Sequence, residues 1–225
     1  MDLQLQIRMN TVLYLRDPEQ SVLGRKIIQH SIRMIHKMGF EDFTFKKLAT
    51  SIGTTEASIY RYFENKHRLL TYIITWFWTW LEYQVVYHTN NVPGAREKIK
   101  VIIRLITFQV KDEFTFQHID KELLYQVVVT EGSKSYLTKH VKKDNKDRLF
   151  KPYKDLCGRI ADIFNEYNPA YQYPRSLASS LLELAHYQQF FKLHLPSLTD
   201  FANAEDQKSI DVFLEQLAFG ALDCK

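Results

Sequence analysis

The sequence predicts an all-α protein, with a small N-terminal tri-helical unit followed by a larger helical C-terminal domain. Only 7 Gly and 6 Pro occur among its 225 residues, and 45% of the residues are hydrophobic. Such scarcity of turn-forming residues favours long helices over many short strands. The stretch from Phe43 to Leu70 adds a local signal, because its apolar residues recur at the three-to-four spacing of helical faces.

The N-terminal extension, residues 1–16, is the exception to this helical pattern. Apolar and polar residues alternate from Leu3 to Leu15, which is typical of a strand, either in a short hairpin or in an arm packed on a neighbour. A single strand is not stable alone. We therefore favour an ordered tail against the protein body over an arm that sends Arg8 or Arg16 into a minor groove.

The first helix is predicted to begin at Pro18. Asp17 is a capping residue, and proline is favoured at the first helical position. A buried stripe follows, and Gly39 ends the helix. The stripe consists of Ile28, Ile32 and Ile35, and the aromatic residues Phe40, Phe43 and Phe45 are expected to fill the space beside the next helix.

Two short helices separated by a glycine corner come next. Thr44 is a plausible cap for the first of them, and Gly53 follows it as a helix stop. Its buried face is predicted to contain Leu48, Ala49 and Ile52.

The second short helix is capped by Thr54 or Thr55. Ile59, Tyr60 and Phe63 are predicted to face inward, which completes the outline of a helix-turn-helix. The opposite side is placed to reach a major groove. The residues predicted on or near that outer side are Glu56, Ala57, Ser58, Arg61 and Tyr62.

Cations follow two of the predicted helix starts. Free backbone N–H groups and cations converge there, so each start is a candidate seat for a phosphate. The alternative is that these are ordinary exposed cations, which cost only about 0.3–1 kcal/mol near a helix start. The cations are Lys46 and Lys47 after Thr44, and Lys66, His67 and Arg68 after Asn65.

The positive charge is concentrated in the same region. The net charge is +4, and residues 1–70 contain 11 Lys and Arg against 7 Asp and Glu, whereas residues 71–225 contain 19 of each. A local basic surface suits a protein that binds a polyanion through one part only.

The block from about Gly24 to Leu70 resembles the DNA-binding domain of the tetracycline-repressor (TetR) family of transcriptional regulators. The residues that carry the resemblance are Phe43-Thr44, Leu48-Ala49, Gly53 and Ile59-Tyr60-x-Tyr62-Phe63-x-x-Lys66. The resemblance implies an all-helical homodimer in which a variable C-terminal domain binds a small-molecule effector and controls affinity for double-stranded operator DNA.

The resemblance also assigns DNA contacts. The predicted set is Thr44, Lys46, Thr55, Glu56, Ala57, Ser58, Tyr60, Arg61, Tyr62 and Lys66. The opening of the recognition helix, residues 54–58, is not the commonest one in the family. Glu56 would repel phosphates, but it would be able to accept a hydrogen bond from a cytosine amino group, so the operator sequence stays open.

The predicted domains are therefore the helix-turn-helix domain at residues 17–68 and a ligand-binding and dimerisation domain at residues 69–225. The latter begins with a long apolar helix, Leu69–Tyr87. A polar stripe indicates an amphipathic helix buried on most sides, rather than a membrane span. The stripe consists of Thr71, Thr75, Thr79 and Glu82.

Beyond a break at residues 90–94 the pattern predicts six more helices. For the charged helix at residues 135–150 we favour a solvated face over a second DNA contact, because Asp144 and Asp147 interrupt its positive charge. By the resemblance, the last two helices form a four-helix interface between two copies. The predicted helices are 95–110, 116–130, 135–150, 152–167, 174–194 and 205–222.

Neither a catalytic motif nor a metal or cofactor signature appears in the sequence, so we predict no enzyme. The two cysteines, Cys157 and Cys224, match no metal or redox spacing and suit a reducing cytosol. No signal peptide opens the sequence, which favours a cytoplasmic protein. A mostly apolar ligand pocket is predicted among the central helices. Its candidate residues are Trp76, Trp80, Phe108, Phe116, His118, Tyr125, Tyr187 and Phe191.

The sequence thus favours a ligand-responsive DNA-binding regulator, a repressor, that acts as a homodimer. One alternative is a helical small-molecule binding protein with a vestigial helix-turn-helix. Another is a membrane-peripheral protein that uses the aromatic residues Trp76 and Trp80.

Overall fold

The computed structural model describes residues 7–110, 118–202 and 208–224, which contain helices and no strand. The all-α prediction is confirmed. Short 3-10 turns lie at Thr11–Leu13, Pro18–Gln20, Gly132–Ser135 and Pro196–Leu198. The α-helices in these ranges are α1 (Val22–Asp42), α2 (Phe45–Ile52), α3 (Glu56–Tyr60), α4 (Lys66–Thr89), α5 (Ala95–Ile106), α6 (Lys121–Glu131), α7 (Val141–Lys146), α8 (Lys151–Tyr167), α9 (Pro174–His194) and α10 (Lys208–Leu222).

The chain forms two compact units. The first comprises Met1–Phe77 and Asp112–Lys151, and the second comprises Trp78–Lys111 and Pro152–Lys225. Helices α6 and α7 therefore belong to the same unit as α1, α2 and α3, although they follow much later in the sequence. The predicted division by function, with boundaries at residues 17 and 69, stays a prediction.

The N-terminal extension contains no strand over residues 7–15, so the strand prediction is wrong there; residues 3–6 lie outside the described part. Asn10 instead caps a 3-10 turn by accepting a hydrogen bond from the Val12 N–H. Leu13 is buried, and the Leu15 N–H donates to the Tyr62 carbonyl at 2.8 Å. Because turn and core satisfy these groups, the segment is an ordered tail on its own unit.

The first α-helix begins at Val22 rather than at Pro18. Asp17 caps the 3-10 turn at Pro18–Gln20, and extended Ser21 then caps α1 by accepting from the Gly24 N–H at 3.0 Å. The turn folds back onto the helix, so that a Cβ on Gly24 would lie 2.3 Å from the Pro18 carbonyl oxygen. Only glycine fits that approach.

We predict that Gly24→Ala lowers the stability of the protein. The new methyl group would overlap backbone rather than a flexible side chain, and overpacking of this kind costs about 1–3 kcal/mol. Urea unfolding followed by circular dichroism measures the loss. Gly158→Ala is the matched control, because Gly158 lies inside α8 with nothing within 4 Å of its Cβ position. The control should gain up to about 1 kcal/mol from helix propensity, and equal effects of the two changes would contradict the packing argument.

The predicted core of α1 is confirmed. Ile28, Ile32 and Ile35 are each 1% exposed. Gly39 has a left-handed backbone (φ 76°), which interrupts helical geometry where the stop was predicted, although residues up to Asp42 continue the element. The three aromatic residues predicted beside it are also buried: Phe40, Phe43 and Phe45.

Several later helices are shorter than predicted, because left-handed residues end them. Phe108 (φ 61°) follows the end of α5, and Arg148 (φ 60°) follows α7. Asp120 caps α6, so that helix begins at Lys121, and the predicted start at residue 116 lies outside the described residues. Helix α9 has the predicted bounds, and α8 begins one residue before the predicted start.

Helix α4 carries the predicted polar stripe, but its first members face protein rather than solvent. Thr71 and Thr75 are buried, and the Thr71 hydroxyl donates to the His67 carbonyl at 2.9 Å. In the described part of the chain, none of the helices combines the length and the hydropathy needed to cross a membrane.

Candidate nucleic-acid interface

The helix-turn-helix forms through the caps that its sequence predicts. Thr44 accepts a hydrogen bond from the Lys47 N–H at 3.2 Å and begins α2. Gly53 ends it in the left-handed conformation (φ 69°, ψ 41°), and Thr55 begins α3 by accepting from the Ser58 N–H at 3.2 Å. The two helices are held against the core by residues that are all buried: Phe45, Leu48, Ala49, Ile59 and Phe63.

Most of the predicted contact residues lie on the outer surface. Ser58 is half-buried, with its hydroxyl 2.9 Å from that of Thr55. The exposed members of the set are Thr44, Lys46, Thr55, Glu56, Ala57, Tyr60 and Arg61.

Tyr60 and Tyr62 each face the opposite way from the one that helical periodicity predicts. Tyr60, predicted to face inward, is 47% exposed and rests edge-on against Phe45 with ring centroids 5.0 Å apart. Tyr62, predicted on or near the outer side, is 3% exposed, and its hydroxyl lies 2.8 Å from that of Ser21. Helix α3 ends at Tyr60, so helical spacing no longer applies at Tyr62. The placement of the Tyr62 ring on the outer side is therefore wrong.

Lys66 is held inside its own unit. Its ammonium group donates to three backbone carbonyls, those of Phe40, Glu41 and Phe43, at 3.0, 2.9 and 3.2 Å. It also lies 4.7 Å from the centroid of the Phe40 ring. An ammonium group has three N–H donors, so this arrangement engages all of them within the corner between α1 and α2.

The other two cations after Asn65 are also turned inward. Arg68 donates to Asp144 at 2.9 Å, and the two side chains are 13% and 2% exposed. The His67 Nε2 lies 3.9 Å from the same carboxylate. Burial lowers the pKa of His67 below its ordinary value, against the opposing effect of Asp144, so Arg68 is the counter-charge of the carboxylate. The second predicted phosphate seat is therefore occupied by internal contacts.

Of the two predicted phosphate seats, the one at the start of α2 is open to solvent. Lys46 and Lys47 are both exposed, and Lys47 donates to the Asp42 carbonyl at 2.7 Å. The N-terminus of α2 and the outer side of α3 thus form one surface that offers backbone N–H groups, a lysine, a guanidinium group, a carboxylate and a tyrosine ring. These groups are able to contact phosphates and base edges.

Glu131 positions this surface and was not singled out in the sequence. It lies at the end of α6, is 6% exposed, and accepts from the Phe40 N–H at 3.0 Å. Its other oxygen lies 2.8 Å from the Lys134 ammonium group. The sequence carries no local signal for this role, because 91 residues separate Glu131 from Phe40 and only the fold brings them together.

The predicted ligand residues fall into both units. In the first unit, Trp76 and Tyr125 are buried, and His118 Nε2 lies 2.9 Å from a carboxylate oxygen of Glu19. Phe116 lies outside the described residues. In the second unit two aromatic pairs form, with ring centroids 5.8 and 6.2 Å apart: Trp80 with Phe108, and Tyr187 with Phe191.

A cleft of about 280 Å³ lies in the second unit, away from those residues. Its two cations are already paired, Lys98 with Glu166 at 2.8 Å and Arg159 with Glu82 at 2.6 Å. Asp162 also lines the cleft and adds a carboxylate. Its lining residues are Val85, Val86, Thr89, Asn90, Lys98, Arg159, Asp162 and Ile163.

Metal-binding groups are not found in the described ranges, where no three His, Cys, Asp or Glu side chains cluster suitably. Cys157 and Cys224 are free thiols. Burial, with the nearby charge of Glu183, raises the pKa of Cys157 to about 11, so its thiol is a poor nucleophile.

Comparison with known proteins identifies the helix-turn-helix. Residues 27–73 match the model of the family described as bacterial regulatory proteins, tetR family. Residues 27–73 of this chain are thus similar to the N-terminal segment of tetR-family regulators. The sequence has no significant match among curated proteins.

Solved structures share the TetR fold over most of the chain. A bacterial regulatory protein of the tetR family from Rhodococcus RHA1 has a TM-score of 0.65 at 13% identity, covering 91% of this chain and 99% of its own. The fatty acid degradation regulator FadR from Bacillus halodurans has a TM-score of 0.59 at 16% identity, with coverages of 87% and 97%. AibR in complex with isovaleryl coenzyme A and operator DNA has a TM-score of 0.56 at 15% identity, with coverages of 86% and 97%.

Lys66 and Lys46 should respond differently to loss of charge. Lys66→Met removes the donor to three carbonyls, and we expect a loss of about 1–3 kcal/mol in the free energy of unfolding. Lys46→Met, on an exposed helix start, should leave stability within about 0.5 kcal/mol.

Urea unfolding and the salt dependence of DNA binding separate the two roles. The slope of log affinity against log salt should weaken by about 0.9 in Lys46→Met, through loss of one phosphate contact. An unchanged unfolding free energy together with a weaker slope in Lys66→Met would show that Lys66 is the phosphate ligand instead.

Proposed function

We propose that this protein is a TetR-family, effector-responsive repressor that binds operator DNA as a homodimer, in the cytoplasm, through α2 and α3. The observation that carries the proposal is the exposed polar side of α3 next to the open N-terminus of α2. That surface places a cation, a carboxylate, a guanidinium group and an aromatic ring beside a helix N-terminus, and such groups contact phosphates and base edges.

Within this proposal the exposed residues have separate roles. Lys46 and the N-terminal N–H groups of α2 hold a phosphate and set the register of the protein on the duplex. Arg61 and Glu56 read base edges, because a guanidinium group pairs with guanine and a carboxylate accepts from the cytosine amino group. Tyr60 supplies apolar contact. Tyr62 acts indirectly, by fixing the end of α3 through Ser21.

The dimer proposal is supported by apolar side chains exposed on the last two helices. Part of the apolar surface of these two helices is used in the core of the second unit, where Leu181, Ala185 and Leu214 are buried. Other faces of the same helices stay apolar and open to solvent. Their exposed residues are Tyr187, Leu193, Val212 and Leu217.

The effector is proposed to bind in the second unit. Its aromatic pair Trp80 and Phe108 offers apolar contact, and the cleft lined by Lys98, Arg159 and Asp162 offers polar groups. Acyl coenzyme A esters are the first compounds to test, because AibR was solved with isovaleryl coenzyme A. Binding of an effector shifts the population of dimers away from the one whose recognition helices match adjacent grooves.

Substitutions on α3 should change base preference more than non-specific affinity. We expect Arg61→Ala to relax specificity at one position of the selected site, at a cost of about 1–3 kcal/mol. Glu56→Gln should change the preferred base without weakening binding to random DNA. Selection of bound duplexes from a random library, with each variant and the unaltered chain, measures both effects.

Lys37→Ala is the matched control for these substitutions. Lys37 is an exposed cation of α1 in the same unit, so its loss changes net charge as Arg61→Ala does but removes no base contact. Identical selected sequences from Arg61→Ala and Lys37→Ala would argue against the assigned role of Arg61.

The rival function is a helical small-molecule binding protein whose helix-turn-helix no longer reads DNA. It predicts that the unaltered chain selects no preferred duplex. A reporter gene behind the selected site distinguishes further: a repressor lowers expression and the effector restores it, whereas an activator has the opposite effect.

A further inference from the structure

The segment around α7 is rich in exposed cations. Helix α7 and its flanks, residues 139–148, lie in the same compact unit as the helix-turn-helix. The sequence offers two carboxylates, Asp144 and Asp147, among these cations, which argued for a plain solvated face. The exposed cations are Lys139, Lys142, Lys143, Lys146 and Arg148.

The structure removes one of these two carboxylates from the surface. Asp144 is 1% exposed as a residue and pairs with Arg68 at 2.9 Å. Asp147 follows the helix and is half-buried, and its backbone carbonyl accepts from the Asn10 side chain at 3.0 Å, so its carboxylate keeps its charge. With 3.6 residues in each helical turn, Lys142 and Lys146 share one side of α7, roughly opposite Asp144. The side of α7 that carries Lys142 and Lys146 is therefore cationic, and the one carboxylate inside the helix, Asp144, faces away from it.

The Arg68 to Asp144 contact also fixes where this surface lies. Arg68 is in the first turn of α4, and α4 begins six residues after the end of α3 at Tyr60. Asn10 joins the other end of α7 to the N-terminal tail, which in turn donates to the Tyr62 carbonyl through the Leu15 N–H. Both connections lead to the C-terminal end of the candidate recognition helix.

We propose that the lysine side of α7 binds backbone phosphates of the same duplex that α3 reads, flanking the bases that α3 contacts. The inference rests on the proposed function, because it assumes that α3 docks on DNA. It names α7 as a second, sequence-independent contact. Lysine ammonium groups act as point charges on phosphates, and they release condensed counterions when they bind.

The test is the salt dependence of DNA binding by Lys142→Gln/Lys146→Gln in the full chain. The probe is a duplex selected from a random library by the unaltered protein, with random sequence retained on both flanks. Each lost phosphate contact weakens the slope of log affinity against log salt by about 0.9, so the double variant should lose about 1.8. The selected base preference should not change.

Arg104→Gln/Arg175→Gln is the matched control. Both arginines are exposed and lie in the second unit, so this variant has the same net charge as the test variant. Its slope should stay close to that of the unaltered chain. The single variants Lys142→Gln and Lys146→Gln guard against a local folding effect at one position, and each should weaken the slope by about 0.9.

Each outcome decides something. Equal slopes for the test variants and the control overturn the α7 contact while leaving the proposed function in place. If the unaltered chain binds no duplex, both proposals fail. If the test variants keep the DNA slope but lose binding to phosphatidylcholine vesicles that contain phosphatidylglycerol, the surface serves a membrane and the DNA assignment is wrong.

Discussion

The corner that follows Gly39 holds the first unit together. There the chain turns from α1 toward α2 and leaves backbone groups without helical partners. Glu131 accepts the Phe40 N–H, and the Lys66 ammonium group takes the carbonyls of Phe40, Glu41 and Phe43. One carboxylate and one ammonium group thereby connect α1, α4 and α6 at the point where α2 starts. The orientation of α2, and with it the exposed side of α3, depends on this pair.

In the same unit, the positions of charged residues in the sequence do not show which charges are exposed on the surface. Three cations follow Asn65, yet Lys66 and Arg68 are used by carbonyls and by Asp144. Conversely, the carboxylate that interrupts the basic run of α7 is the one that the fold withdraws. The exposed positive charge therefore lies at α7 and at the start of α2, rather than at the start of α4 where the sequence predicted it.

Helix caps and stops were predictable from the sequence, whereas side-chain contacts between residues distant in sequence were not. Thr44, Gly53 and Thr55 act within three or four residues of themselves, so their roles as caps and stop follow from residue type and spacing. Tyr62 was misplaced because α3 ends at Tyr60, and the boundaries of short helices depend on packing that periodicity does not show. The roles of Lys66 and Glu131 depend on partners 23 or more residues away.

The first unit is built from two stretches of chain, since residues 112–151 return to it after residues 78–111 have entered the second unit. A recombinant head cut after Phe77 would lack the carboxylates of Glu131 and Asp144, leaving the Phe40 amide and the Arg68 guanidinium without them. Any chimaera that joins this helix-turn-helix to a different C-terminal domain would also have to include α6 and α7. The unit that would have to be exchanged is therefore discontinuous in sequence, which restricts how this helix-turn-helix unit could be joined to a different domain by simple gene fusion.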